Sequence, residues 1–173
     1  MIQIHPTAII SPHARLYATR LIVGAYTRID DGVIITGDVE LGDYVHIGAY
    51  AVVTGRYGVQ IGSFTGIAMF VAILSGSDDF SGRSMANPTI PDRFKPRLNT
   101  GKVVIGQNCL IGAHSTIMPG VTIHDGVGIG GHSMVKTDCE KDTLYAGVPA
   151  RKICERSKDI WALTAQFEME NVA

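Results

Sequence analysis

Residues 103–135 read VVIGQNCLIGAHSTIMPGVTIHDGVGIGGHSMV, and every sixth position from Ile105 is a large aliphatic: Ile105, Ile111, Ile117, Ile123, Ile129 and Val135. Toward the N-terminus the same beat gives Ile61, Ile67 and Ile73, and before them Val23, Ile29, Ile35, Leu41, Ile47 and Val53. A second track runs four residues after the first and holds small or β-branched residues: Thr27, Val33, Val39, Val45 and Ala51, then Thr65 and Val71, then Cys109, Ser115, Val121, Val127, Ser133 and Cys139. Gly follows the aliphatic residue at Gly24, Gly42, Gly48, Gly62, Gly106, Gly112 and Gly130. A fixed period marks a repeat architecture and takes precedence over any local reading.

A period of six suits neither an amphipathic helix, at 3.6, nor a simple alternating strand, at 2. It suits a short strand and a turn, with one large residue per side pointing inward. Three such sides close a triangular coil of 18 residues. Stacked coils pair in parallel, ~4.8 Å apart, and no coil can bury its own inner face alone. Glycine is expected at the corners because it tolerates backbone angles that a Cβ obstructs.

This pattern resembles the hexapeptide-repeat family, and the resemblance covers roughly residues 4 to 151. It implies an all-β fold, a left-handed parallel β-helix, in a homotrimeric acyltransferase with sites between subunits. The segment LYAGVPARKI, residues 144–153, resembles the family's terminal signature. Beyond the β-helix of residues 1–154, residues 155–173 have a helix-compatible composition. Ile160, Trp161, Leu163 and Phe167 are available for one apolar face, and that helix is expected to cap the open end of the solenoid.

The chain has 173 residues, enough for one domain with a sizeable core. Its net charge is −1 and its pI about 6.6, so no global basic field invites nucleic acid. The start, MIQIHPTAII, lacks the basic segment of a signal peptide. The longest apolar run, residues 67–74, is far too short to span a membrane. Cys109 and Cys139 fall in the small-residue track and read as core, and Cys154 reads as incidental. A reducing cytoplasm is the expected compartment.

Two irregularities interrupt the beat. Val53 and Ile61 are spaced eight rather than six, with TGRYGVQ between them, and this reads as a small bulge. Between Ile73 and Ile105 the beat is lost. Pro88, Pro91 and Pro96 forbid ladder pairing there, so residues 75–102 read as a long loop excursion from the prism. Binding and catalytic groups concentrate on such loops.

Acyl transfer needs a base for the acceptor, and histidine is the usual one. His5, His13 and His124 read as surface residues. His46 lies between inward Val45 and Ile47, so its ring points outside the prism, at a corner. The segment GDYVHIGAY resembles nucleotide-sugar acetyltransferases, which carry a histidine here against the acetyl donor. Those enzymes place a second histidine nine residues earlier, where this chain has Gly37 followed by Asp38. Galactoside and xenobiotic acetyltransferases carry a catalytic histidine near the position of Asp78, in SGSDDFSG. Here Asp78 or Asp79 is expected to orient His46 or to bind a sugar hydroxyl or amine. Asp38, Arg83 and Asn87 are assigned to the acceptor.

His114 and His132 are 18 residues apart and should share a corner on adjacent coils. The resemblance places them along the pantetheine groove, with the backbones of Ala113 and Gly131 bonding to its amides. Lys136, Arg151 and Lys152 then meet the phosphates of coenzyme A. The reading is an acetyl-CoA-dependent O- or N-acetyltransferase that needs no metal. Its acceptor is a sugar, a nucleotide-linked amino sugar or another precursor of surface polysaccharide such as lipopolysaccharide. Two other functions share the fold. A γ-class carbonic anhydrase needs three histidines on one Zn²⁺ with a closely spaced pair, and this chain has no His-x₄-His. A non-catalytic scaffold keeps the prism and loses the site.

Overall fold

The computed structural model describes residues 1–171; the last two positions of the expected tail, 172 and 173, lie outside the described residues. The inward aliphatics stack in three ladders, one per face of a triangular prism. On the first face Ile4, Val23, Leu41, Ile61, Ile105 and Ile123 pair in register. On the second, Ile10, Ile29, Ile47, Ile67, Ile111, Ile129 and Tyr145 do so. On the third, Leu16, Ile35, Val53, Ile73, Ile117 and Val135 follow. All these pairings are parallel, which gives a parallel β-helix. The ladders from Val23 to Val135 are fully buried, and each such side chain is worth about 1.5–3 kcal/mol of burial.

The second track fills the corners, and its hydroxyls serve the backbone. Thr27 Oγ1 donates to the carbonyl of Gly42 (2.7 Å) and accepts from the N–H of Val45 (3.0 Å). Thr65 and Ser115 repeat the arrangement with Gly106 and Cys109, and with Gly130 and Ser133. A buried hydroxyl is tolerated here because both of its bonds are made.

Gly32 and Gly126 (both φ 70°) take the left-handed corner conformation expected of glycine, but the glycines that follow the aliphatics play a different part. The left-handed corner positions are mostly aromatic or histidine: Tyr44 (φ 55°), Phe64 (59°), Tyr50 (59°), Phe70 (59°), His114 (59°) and His132 (52°). Each costs about 1–2 kcal/mol of backbone strain, which ring stacking along the corner offsets by about 0.5–1.5 kcal/mol per pair. Tyr26, Tyr44 and Phe64 stack on the first corner, with centroids 4.9 and 5.2 Å apart. The glycines after the aliphatics are required by crowding instead. A Cβ on Gly48 would lie 2.8 Å from the nitrogen of Met69, and one on Gly112 would lie 2.5 Å from that of Gly131.

Both irregularities fall on the third corner, between the third and first faces. Strands Arg15–Val23, Ile34–Leu41 and Val52–Ile61 run straight through it, with register shifts at residues 18–20 and 37–39. The excursion leaves after Ser75 and returns at Gly101, whose N–H donates to the Ser75 carbonyl (3.0 Å). Its base is a two-stranded antiparallel ribbon, Gly76–Asp78 with Leu98–Thr100, and beyond it a single 3-10 turn spans Asp92–Phe94. Val103–Ile105 then resumes the stack directly on residues 59–61.

The C-terminal helix, Asp159–Asn171, does not cap the solenoid. Thr143–Gly147 is the last parallel strand, and Ala150–Glu155 folds back on it antiparallel, covering that edge. With the edge closed, the helix runs back along the first corner. Trp161 Nε1 donates to Asp142 Oδ1 (2.8 Å), Thr164 Oγ1 to Asn108 Oδ1 (3.1 Å), and Phe167 stands edge-on to Tyr44 and Phe64. The stacked rings of the first corner offer the apolar surface against which Phe167 packs. Leu163, expected on the apolar face, is 62% exposed. No described helix is long and apolar enough to cross a membrane.

Burial pushes the thiols of Cys109 and Cys139 up to about 11 and about 12, whereas Cys154 is exposed. A disulfide-type thiol reagent should therefore titrate one thiol in the native protein and all three after unfolding. Rapid native reaction of two or more would contradict the buried assignment.

Candidate active site

His46 sits on the flat second face, in strand His46–Ile47, two residues past the corner rather than on it. Its neighbours in the outward column are Arg28 on one side and Gly66 on the other, followed by Leu110. Gly66 has no side chain, so the ring faces a cavity of about 360 Å³ lined largely by apolar atoms of Ala68, Met69, Leu110 and Ala113. His46 is 50% exposed at the side chain, and Asp30 is 20% exposed.

Asp30 holds the ring. Its Oδ2 lies 2.8 Å from His46 Nε2, and its Oδ1 accepts from Arg28 Nε at 2.6 Å. Partial burial works against the charged carboxylate, but the hydrogen bonds from His46 and Arg28 outweigh it and hold the Asp30 carboxyl below its ordinary range. A carboxylate accepts only, so Nε2 is the protonated nitrogen of the neutral ring. That leaves the Nδ1 lone pair, which has no partner among the described residues. A histidine oriented by a carboxylate beside an apolar cavity is suited to general base work.

The cavity opens onto the second corner, where Ala113 lies. There Phe70, His114 and His132 stack with centroids 4.8 and 4.7 Å apart. The Ala113 carbonyl is used, accepting from the N–H of His132 (2.8 Å). Farther along, Lys136 and Arg151 are exposed and have no carboxylate partner within 4 Å among the described residues. Lys152 is engaged by Glu155 (2.7 Å) and Glu140 (2.9 Å), which hold its ammonium protonated well above the ordinary range.

The acidic residues of the excursion lie elsewhere. Asp78 Oδ2 accepts from the N–H of Asn87 (3.1 Å) and borders a cleft of about 500 Å³ at the third corner. Asp79 accepts from Ser81 Oγ (2.7 Å), Ser81 N (2.9 Å) and Arg83 N (3.1 Å). The Ser81 bonds hold its carboxyl below the ordinary range, so Asp79 fixes the turn that carries Arg83. The Asn87 amide oxygen is taken by Thr89. Asp38 pairs with Arg20 (2.8 Å) on the same corner. In a triangular prism the third corner is opposite the second face. Within one chain, then, neither Asp78 nor Asp79 orients His46, and Asp30 does so instead.

A sequence model described as bacterial transferase hexapeptide (six repeats) matches residues 21–55 and 102–137. A dTDP-4-amino-4,6-dideoxy-D-glucose acyltransferase of Escherichia coli is 36% identical over 92% of this chain and 84% of its own length. The chain belongs to the hexapeptide-repeat acyltransferases. Its fold is their left-handed parallel β-helix. AntD, an N-acyltransferase from Bacillus cereus solved with dTDP and 3-hydroxybutyryl-CoA, superimposes with a TM-score of 0.94 at 36% identity, covering 97% of this chain and 90% of that one. An AntD variant solved with dTDP-4-amino-4,6-dideoxyglucose and coenzyme A is 37% identical with the same TM-score, covering 97% and 91%.

Sequence reasoning missed Asp30 and Arg28 in this acyltransferase. Both lie one coil below His46, and Asp30 is 16 residues earlier, two short of a full turn. The signal was available: an acid two residues toward the corner on the preceding coil lies within reach of an outward histidine. In RIDDG it reads as an ordinary solvated turn.

Proposed function

We propose that this acyltransferase moves an acetyl group from acetyl-CoA to the amine of a nucleotide-linked amino-deoxysugar. The observation that carries the reading is the near-full-length likeness to AntD, solved with such an amino sugar and coenzyme A. The oriented His46 beside an apolar cavity supports it chemically. The C–N bond forms as the thioester C–S bond breaks. The amine proton passes to His46 Nδ1 and then to the departing thiolate, giving an amide and a free thiol. An amine is a better nucleophile than a hydroxyl and needs less help from a base, which fits a chain that has Gly37, and no second histidine, nine residues before His46. The pantetheine arm lies along the second corner past Ala113, His114, Gly131 and His132, with Lys136 and Arg151 toward its phosphates.

His46 and the excursion face opposite sides of one prism. A site using both takes His46 from one chain and Asp78 from its neighbour, which is the arrangement a homotrimer supplies. The product suits a precursor of surface polysaccharide made in the cytoplasm.

The test is thiol release from acetyl-CoA with dTDP-4-amino-4,6-dideoxyglucose, beside the same sugar with a 4-hydroxyl. Release only with the amine, matched by amide in the mass spectrum, is the expected outcome. Release with the hydroxyl sugar alone would reassign the enzyme to O-acetylation.

A further inference from the structure

The eight-residue spacing between Val53 and Ile61 has no part in the transfer step, yet it is a built feature. Gly55 and Gly58 flank a two-residue bulge that displays Arg56 and Tyr57 on the third corner. Ser75, fully buried, anchors it: its Oγ accepts from the N–H of Tyr57 (3.0 Å) and donates to the Thr54 carbonyl (2.6 Å). The Tyr57 ring lies against Gly76, where a Cβ would come within 2.9 Å of it. The excursion thus begins on top of the bulge and fixes its shape.

Two cations on this corner lack acids. Arg20 bridges Asp38 (2.8 Å) and Glu40 (3.3 Å) and satisfies both. Arg56 and Lys102 have no carboxylate within 4 Å among the described residues. The Arg56 guanidinium lies 5.5 Å from the centre of the Tyr57 ring, and Lys102 Nζ donates to Gln60 Oε1 (3.0 Å). Gly58 (φ 95°) leaves the space beside the Lys102 stem, since a Cβ there would lie 3.3 Å from its Cγ. Both cations line one cleft of about 370 Å³. Arg56 and Tyr57 also border the adjoining cleft of Asp78, and Asp78 has no cation within 4 Å among the described residues.

We propose that Arg56 and Lys102 bind the diphosphate of the nucleotide-sugar acceptor, with Asp78 facing its amine end. Asp38 and Glu40 also line the first cleft and Lys95 the second, but these charges are paired, with Arg20 and with Asp92 (3.1 Å) respectively. The unpaired charges that remain, two cations and then a carboxylate, match a ligand with a dianionic diphosphate at one end and a basic amine at the other. The Arg56 fork suits two phosphate oxygens, while Lys102 acts as a point charge. The two-residue insertion moves the fork out of the ladder, where a regular hexad would keep an outward side chain against its neighbours above and below.

This inference rests on the proposed function, and the experiment separates the two. Calorimetry of dTDP with the full-length protein should give binding about 10- to 100-fold weaker in Arg56→Ala and in Lys102→Ala than in the parent, the loss of one charge-assisted contact each. Arg56→Lys should recover part of it. In steady state, KM for the amino-sugar nucleotide should rise while KM for acetyl-CoA stays within about twofold. Both side chains are exposed, and unchanged melting would show that the fold is intact. A parent enzyme that transfers acetyl groups but binds dTDP equally well in both variants, or not at all, overturns the diphosphate site and leaves the function standing. A parent that neither transfers nor binds overturns the function as well.

Discussion

His46→Ala is expected to lower kcat by about 10²–10⁴-fold, the range for a positioned general base, with no loss of stability. The side chain is half exposed and contributes nothing to the inward ladders, so urea midpoints should coincide. Asp30→Asn keeps the shape but removes the charge that fixes the ring, and it should cost less than His46→Ala. Its effect should appear in kcat rather than in KM for acetyl-CoA, because Asp30 meets the ring and not the donor arm. The Asp30 carboxyl is held below its ordinary range. Its contribution to the cluster is thus present above the unfolded-state value and lost only as pH falls through the lower folded-state value. The Arg28–Asp30–His46 arrangement should persist through neutral and mildly acidic pH. Full rate in the His46→Ala enzyme with the true acceptor would leave the proton to some other group and end this assignment.

Ile117→Ala should destabilise the protein by about 2–5 kcal/mol, the range for truncating a buried aliphatic. Ile117 is completely buried and is stacked between Ile73 and Val135 on the third face. It lines none of the clefts described above, so the loss belongs to the ladder. Both stacked neighbours lose a contact surface, and the coils cannot close the gap without breaking register with the two other faces. Urea unfolding at fixed protein concentration measures the effect, with Leu163→Ala on the exposed helix face as a control expected within about 0.5 kcal/mol of the parent. A midpoint for Ile117→Ala equal to that of the control would mean that the ladders do not carry the stability.

The contrast between those two substitutions follows how the chain encodes itself. A solenoid repeats one decision at every coil, so the inward register of Ile105, Ile111 and Ile117 is written directly in their spacing. The outward histidine could be found the same way, since Val45 and Ile47 fix its direction. Glycine was legible in place but not in role: the Gly after each aliphatic reads as a turn residue, and only the closeness of the coil above shows that backbone contact excludes a Cβ. The helix was legible in composition but not in position. Its destination depends on Tyr44 and Phe64, more than 90 residues earlier, presenting ring edges on one corner.

The site divides along the same line. Asp30 and His46 are joined by stacking, and a local reading of RIDDG gives no hint of it. Asp78 was expected beside His46 because it stands near the position at which galactoside and xenobiotic acetyltransferases carry a catalytic histidine, but the prism sets the two on opposite sides of one chain. By itself, the sequence determined the prism, its three ladders and the two places where the rhythm fails, because burial of one aliphatic per side leaves a fixed period. Only the tertiary structure decided which outward groups meet. Outward side chains are not selected by the core, and their neighbours are set by coil stacking, by corner geometry and by the bulge that lifts Arg56 clear of the ladder.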